Sequence, residues 1–154
     1  MNQANKHSQS EIEAKETILE ITEKLGIPQI ERHLLLCSDQ TKPKCCTKEA
    51  SLASWNYLKS RLKELKLDRP TADRPNCIFR TKANCLRVCS EGPILLVYPD
   101  GTWYKNVTPE AIEKIIQEHL IGNRVVAEYV FYQRPLPETG KVAELENLES
   151  DSEQ

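Results

Sequence analysis

The sequence has no long apolar run, no large net charge and no glycine-rich phosphate loop, and each absence excludes a class of protein. No stretch approaches the roughly 20 apolar residues that a membrane-spanning helix needs, and the first ten residues are too polar for a secretory signal peptide. A net charge of −2 over 154 residues gives no electrostatic basis for nucleic-acid binding. A loop of the kind that holds nucleotide phosphates is also missing. We therefore expect a soluble, cytoplasmic protein with neither a membrane nor a nucleic acid as partner.

Cysteine, by contrast, is well represented, with six residues. In a secreted chain an even number would suggest three disulfides, whereas in a reducing compartment grouped cysteines indicate metal or redox chemistry. Cys37 and Cys46 are separated by eight residues, and Cys85 and Cys89 by three. We predict that these four thiols form one metal site. Cys77 is expected to be a small buried residue at the start of a strand.

The chain divides into three parts: an N-terminal extension over 1–31, a domain over 32–132, and an acidic, disordered tail over 133–154. In the extension, Ser10 and Glu13 open a helix as a capping box, and Gly26 and Pro28 end it. We expect this amphipathic helix to pack on the surface of the domain. A docking helix for a partner is the alternative.

Within the domain, apolar runs bounded by turn residues predict strands, and apolar stripes at helical spacing predict helices. The predicted elements are strands over 33–37, 77–82, 94–98 and 102–107, and helices over 47–66 and from Thr108 onward. The run from Leu34 to Leu36 predicts a strand buried on both faces. Residues 125–132 form either an edge strand or a clasp across the domain. This order predicts an α/β fold, a small mixed sheet flanked by helices in the thioredoxin-like layout, preceded by an extra N-terminal helix.

Four thiolates can bind Zn²⁺ tetrahedrally or hold an iron–sulfur cluster. Structural zinc sites often use cysteine pairs with two residues between them, which this chain lacks, but spacing alone does not decide. Gly92 allows the backbone to approach a cluster, and Pro93 fixes the exit of the loop. The cations close in sequence to the thiols are Lys42, Lys44, Lys48, Lys82 and Arg87. They form either a solvated basic surface or a local field that favours reduction and guides an acidic partner.

A resemblance to a known family rests on the strand His33-Leu34-Leu35-Leu36-Cys37, on Cys46 before a helix, on Cys85-x₃-Cys89-x₂-Gly92-Pro93, and on Val97-Tyr98-Pro99 followed by Trp103-Tyr104. Over residues 32–131 the chain resembles the thioredoxin-like 2Fe–2S ferredoxins, which are related to the small iron–sulfur subunit of NADH dehydrogenases. The resemblance implies a 2Fe–2S cluster bound by Cys37, Cys46, Cys85 and Cys89. It also implies one-electron transfer and, often, a homodimer.

Two residues depart from the family pattern. Cys45 lies beside Cys46, so either thiol could be the second ligand. We assign Cys46, because it leads directly into the helix as in the family, and we interpret Cys45 as an exposed bystander. Asn84 stands where the family commonly has glycine, which puts the backbone of that loop in question.

Three other functions compete with an electron carrier. A zinc-stabilised interaction module would use the metal only to hold the fold, and an electron-transfer subunit of a larger redox complex would use the same site. A thiol oxidoreductase would need a Cys-x-x-Cys pair, which the chain lacks. His7, His33 and His119 are isolated in sequence. We therefore predict a protein without its own catalytic site that receives electrons from a redox partner.

Overall fold

The computed structural model describes residues 17–137. The expected capping box at Ser10 and Glu13, and most of the acidic tail, lie outside these residues. Within residues 17–137, no helix is both long and apolar enough to cross a bilayer.

The described chain contains five strands, three α-helices, a short 3₁₀-helix at Ile27–Gln29 and a π-helix. The strands are β1 (Ile30–Cys37), β2 (Cys77–Ala83), β3 (Leu95–Tyr98), β4 (Thr102–Tyr104) and β5 (Val130–Gln133). The helices are α1 (17–25), α2 (Lys48–Glu64) and α3 (Pro109–Lys114), the last of which continues directly into a π-helix over Ile115–Ile121. The predicted α/β class is confirmed.

The sheet has the strand order β2-β1-β3-β4-β5. β1 and β2 are parallel, with Cys37 opposite Ala83, and α2 forms the crossover between them. The remaining pairs are antiparallel, and Leu36 of β1 lies opposite Leu95 of β3. Because β1 and β2 run the same way, their carboxyl ends meet at one edge of the sheet, and the loops that follow them are neighbours.

The hydrophobic core lies on one face of the sheet, where α2 and α3 pack side by side. Leu34 and Leu36 of β1 are fully buried in this core. Leu35 points to the opposite face, as strand alternation requires, and is only half-buried. The expectation of a strand buried on both faces was therefore wrong for β1, because both of these helices cover the same side.

Helix α2 begins as predicted, with the Thr47 hydroxyl accepting a hydrogen bond from the Ala50 N–H at 3.1 Å. Leu58 and Leu62 are buried, in agreement with the apolar stripe. Two serines, Ser51 and Ser54, are buried on the same side. Apolar periodicity did not identify them. The Ser54 hydroxyl bonds to the Val107 carbonyl, and the Ser51 hydroxyl lies within hydrogen-bond distance of Gln40 and of the Lys48 carbonyl in the same helix.

Helix α1 does not pack on the domain as expected. Ile18 is 63% exposed and Leu25 is 51% exposed, so its apolar side chains remain open to solvent. The chain is anchored to the domain where this helix ends, because the carbonyl of Gly26, a residue at a left-handed φ of 76°, accepts a hydrogen bond from the Cys77 thiol.

The last described strand is an edge strand, which decides between the two expectations for residues 125–132. β5 pairs with β4. The residues after β5 are also hydrogen-bonded to the sheet: the Arg134 N–H donates to the Gly101 carbonyl at 2.8 Å, and the Leu136 N–H donates to the Pro99 carbonyl at 3.1 Å. Gly101 has a φ of 65°, and a Cβ there would overlap the Arg134 carbonyl, so the turn requires glycine. The ordered domain therefore reaches at least Leu136.

Candidate metal centre

A cavity of about 290 Å³ lies where the carboxyl ends of β1 and β2 meet. Four thiols line it: Cys37, Cys45, Cys85 and Cys89. Its other lining residues are Gln40, Thr41, Lys42, Lys44, Asn84 and Val88. The parallel β1–β2 pair thus brings together cysteines from two distant segments of the chain.

Cys37 is the innermost thiol. It is the last residue of β1 and is 2% exposed. Its N–H donates to the Ile94 carbonyl at 3.0 Å, which fixes the strand end, and the Leu86 N–H faces its sulfur. Burial raises the pKa of the Cys37 thiol, so a metal ion that binds it must displace a proton.

Cys45 and Cys46 are both half-buried and take different positions. Cys45 Sγ lies 3.6 Å from Cys37 Sγ and lines the cavity. Cys46 Sγ lies 3.8 Å from Cys45 Sγ and is not among the lining residues. Burial raises the pKa of the Cys45 thiol as well.

Cys85 and Cys89 form the exposed wall of the cavity. Between them, Arg87 has a left-handed φ of 69°, and its N–H donates to Cys85 Sγ at 3.2 Å. Asp39 and Glu91 also have positive φ, at 55° and 51°. Non-glycine residues adopt this conformation at an energetic cost and are concentrated at functional sites, so the strained backbone here agrees with a binding site.

Gln40, which sequence reasoning missed, lies behind the thiols. Its side chain is 3% exposed, and its Nε2 donates to Cys45 Sγ at 3.4 Å and to Cys37 Sγ at 3.5 Å. The Ser51 hydroxyl donates to its Oε1 at 2.9 Å. A buried glutamine among cysteines was visible in the sequence, but only the fold shows that its amide faces sulfur.

Asn84 ties together the two loops that carry the thiols. Its Nδ2 donates to Thr41 Oγ1 at 2.7 Å, and its Oδ1 accepts from the Thr41 N–H at 3.1 Å. We call this pair the loop clasp. Asn84 is not among the residues with positive φ, so a side chain is accommodated where the family commonly has glycine.

Gly92 allows a close backbone approach, and the group approached is Cys45. The Gly92 N–H donates to the Cys45 carbonyl at 2.9 Å. A Cβ at Gly92 would lie 2.6 Å from Cys45 Sγ and 2.8 Å from its Cβ. The Gly92–Pro93 peptide bond, at the exit of this loop, is cis.

The five cations near the thiols divide into two groups. Lys48 and Lys82 each form an ion pair with Asp39 at 3.2 Å. Lys42, Lys44 and Arg87 are exposed and, within residues 17–137, have no carboxylate partner. The local field around the exposed thiols is therefore positive, although the chain as a whole is slightly acidic.

The remaining cysteine and histidines lie away from the cavity. Cys77 is buried at the start of β2, at the opposite end of that strand, as predicted. His33 contacts Thr81 at 2.7 Å. His119 is 1% exposed, with Nε2 at 2.6 Å from Asp100 Oδ2, and His7 lies outside the described residues. Neither described histidine lines the thiol cavity.

His119 belongs to a partly buried polar network at the other end of the sheet. The Tyr104 hydroxyl lies 2.8 Å from His119 Nδ1. Arg32 Nε donates to both oxygens of Asp100 at 3.2 Å, and its NH2 group donates to Asn123 Oδ1 at 2.8 Å. Every member has a partner, as a stable buried network requires.

An apolar patch adjoins the thiol cavity. Its lining residues are Val88, Tyr98, Trp103, Phe131, Tyr132, Arg134 and Leu136. Val88 lines both the patch and the cavity, so the loop that carries Cys85 and Cys89 separates the two surfaces.

The donor set fits an iron–sulfur centre. Within residues 17–137, no group of three or more His, Cys, Asp or Glu side chains is arranged to hold a single metal ion. The cavity walls nevertheless present soft thiol donors from two loops, and N–H groups of Gln40, Leu86 and Arg87 face their sulfurs. Thiolate ligands with N–H donors to sulfur are the setting in which such clusters are held and tuned.

No protein-family model matches the chain. It is 28% identical over 101 residues to a Priestia megaterium protein with the provisional name 2Fe-2S ferredoxin, covering 66% of this chain and 70% of that one. It is 41% identical over 49 residues to a 2Fe-2S ferredoxin of Clostridium pasteurianum, covering 32% of this chain and 48% of the relative.

The fold gives the same result over a longer stretch. A thioredoxin-like [2Fe-2S] ferredoxin from Aquifex aeolicus superposes with a TM-score of 0.54 at 26% identity, covering 72% of this chain and 99% of that structure. The resemblance inferred from the sequence is thereby confirmed: in sequence and in fold, the chain is similar to the thioredoxin-like 2Fe–2S ferredoxins.

Proposed function

We propose that this protein is a one-electron carrier that holds a 2Fe–2S cluster on four cysteine thiolates. The observation that carries the proposal is the cavity at the carboxyl ends of β1 and β2, which brings thiols of two separate loops together. When bound, such a cluster supplies a site that is reduced and oxidised by one electron. The protein takes this electron from a reduced partner protein and gives it to an oxidised one, without a catalytic site of its own. We propose that it acts in the cytoplasm, as the sequence predicted.

Three of the proposed ligands are Cys37, Cys85 and Cys89. The sequence predicted Cys46 as the fourth, because it leads into α2. The lining of the cavity and the 3.6 Å between the Cys45 and Cys37 sulfurs support Cys45 instead. We propose Cys45 as the fourth ligand, and Cys46 is the alternative that the variants below distinguish.

The exposed wall of the cavity is where partners contact the protein. Cys85 and Cys89 are exposed, which allows a partner to approach the ligands closely. Lys42, Lys44 and Arg87 around them support a partner with an acidic surface. In that case the rate of electron transfer to the partner falls as ionic strength rises.

We also propose that two copies associate through the apolar patch. Tyr132 is 62% exposed and Phe131 is 39% exposed, on a strand that is the last in the sheet order within residues 17–137. The homodimer that the family resemblance implies would cover both features. Tyr132→Lys should give a monomer in analytical ultracentrifugation, whereas Leu25→Lys, on the exposed α1, should leave the dimer intact. A wild-type monomer at micromolar concentration contradicts this proposal.

The visible spectrum of protein purified without oxygen, with iron and sulfide assays, tests the cluster. We expect coloured protein with about two irons and two sulfides per chain. Cys85→Ser and Cys89→Ser should each lose most of both. Cys77→Ser, a buried thiol at the far end of β2, is the matched control and should retain the full content.

The same assay distinguishes the two candidates for the fourth ligand. Cys45→Ser should lose the cluster spectrum, and Cys46→Ser should retain it. The reverse result would assign the ligand to Cys46, as the sequence predicted. Colourless wild-type protein that contains zinc would refute the electron carrier and support an interaction module instead.

A further inference from the structure

Gln40 and Ser51 form a buried pair behind the candidate ligands. Gln40 is 3% exposed and Ser51 is fully buried. Besides Cys45 and Cys37, the Gln40 amide nitrogen reaches Cys46 Sγ at 3.7 Å. A single side chain thus faces three sulfurs, two of which, those of Cys37 and Cys45, line the inner side of the cavity.

The orientation of this amide follows from its partners. A metal-bound thiolate has no proton to donate, so the sulfurs can only accept hydrogen bonds. The amide must then turn its Nε2 toward them and its Oε1 toward Ser51, whose hydroxyl donates at 2.9 Å. Ser51 is held in turn by α2, since its hydroxyl also lies 2.8 Å from the Lys48 carbonyl and accepts from the Asp39 N–H at 3.3 Å.

We propose that Gln40, held by Ser51, is a positioning residue for the ligand sulfurs and that its two N–H groups raise the reduction potential of the centre. The inference rests on the proposed function. Reduction adds one negative charge to the thiolate-bound centre, and hydrogen bonds to sulfur stabilise the more negative state. Because the amide is buried, water does not weaken its interaction with the sulfurs.

Three variants of the full-length protein test this pair. Gln40→Met keeps the length of the side chain and removes both N–H groups. Ser51→Ala keeps the amide but frees it to turn. Ser54→Ala is the matched control, because Ser54 is also buried on α2, while its hydroxyl donates at 2.6 Å to the Val107 carbonyl, away from the sulfurs. Each protein is reconstituted without oxygen, brought to equal iron and sulfide content, and titrated to obtain its midpoint potential.

Gln40→Met should lower the equilibrium ratio of reduced to oxidised centre about tenfold at a fixed potential, which is a negative shift of about 59 mV for one electron. Ser51→Ala should shift in the same direction by a few-fold, and Ser54→Ala should match the wild type. Exchange into D₂O should also shift the Fe–S stretching bands of the wild type more than those of Gln40→Met, because the variant lacks the exchangeable Gln40 amide protons and keeps only the Leu86 N–H at Cys37.

The outcomes separate this inference from the proposed function. Normal cluster content with wild-type potentials in Gln40→Met and Ser51→Ala would overturn the role of the pair and leave the electron carrier intact. A wild-type chain that holds no iron would overturn the electron carrier itself, and the inference with it. If Gln40→Met holds no cluster, Ser51→Ala decides: a negative shift relative to Ser54→Ala supports the inference, and no shift refutes it.

Discussion

Replacing Gly92 with alanine tests whether Cys45 can keep its position when a side chain is added to the neighbouring loop. A Cβ at this position would lie 2.6 Å from Cys45 Sγ, 2.8 Å from Cys45 Cβ and 3.1 Å from its carbonyl carbon. Turning the thiol away relieves only the first of these contacts, so the backbone of Cys45 must move. Bringing the contact with Cys45 Cβ from 2.8 Å to an ordinary 3.4 Å requires a displacement of about 0.6 Å.

That displacement is large for a metal ligand. Ligand distances in metal sites are held within about 0.2 Å, and overpacking a well-filled site costs about 1–3 kcal/mol. We therefore expect Gly92→Ala to fold, with an unfolding free energy lower by about 1–3 kcal/mol, and to retain less than about half of the wild-type iron and sulfide. The measurements are urea unfolding followed by circular dichroism, and iron and sulfide assays after anaerobic reconstitution.

Ser90→Ala is the control for this experiment. Ser90 is exposed in the same loop, two residues before Gly92, and its substitution adds no atom. Full iron content and an unchanged spectrum in Gly92→Ala would refute the reasoning, because Cys45 could then move without consequence. That result would remove Cys45 from the ligand set.

Three further predictions concern the loops and the network at the opposite end of the sheet. Asn84→Ala opens the loop clasp, which removes two hydrogen bonds and about 1–2 kcal/mol of loop stability; a chelator should then remove iron faster than from the wild type. Burial lowers the pKa of His119 below 6.5. Burial acts to raise the pKa of Asp100, but the hydrogen bonds from His119 and Arg32 outweigh it and hold the pKa of Asp100 below 3.8. Both groups bind protons more readily in the unfolded chain, so their contribution to stability is fully present above pH 6.5. As pH falls, the contribution of His119 is lost below pH 6.5 and that of Asp100 below pH 3.8. Urea unfolding of the metal-free Cys85→Ser protein at several pH values should show this decrease. Gly101→Ala should cost roughly 2 kcal/mol or more, measured in the same assay, because φ is 65° and a Cβ would overlap the Arg134 carbonyl.

The fold could be predicted well wherever local chemistry determines it. Thr47 and Thr108 begin helices at the predicted positions, since each hydroxyl accepts an N–H bond from the first turn. The strand ending at Cys37 follows from its apolar run. The apolar pattern did not predict which face of the sheet the helices cover, and Leu35, on the other face, is only half-buried. It also did not predict that Leu25 would be exposed. Both depend on contacts distant in sequence.

The candidate site shows the same division. The tight pair Cys85 and Cys89 was recognisable from its spacing, and the family resemblance now has support from fold and sequence. The choice between Cys45 and Cys46 could not be made from spacing, because either of two adjacent residues in a loop can be brought to the same site by a small change in the backbone. Gln40 was missed for a related reason: a polar residue in a loop looks solvated until the fold buries it.

Strand β1 connects two polar centres of opposite character. At one end Arg32 joins Asp100 and His119, where every group has a partner. At the other end Cys37 faces a cavity with exposed thiols and left-handed residues. The five residue steps between Arg32 and Cys37 span roughly 17 Å. Because of this separation, the Arg32 end stabilises the sheet while the Cys37 end carries the electron-transfer site. Substitutions near Cys37 that change the reduction potential should therefore leave the hydrogen bonds around Arg32 unchanged.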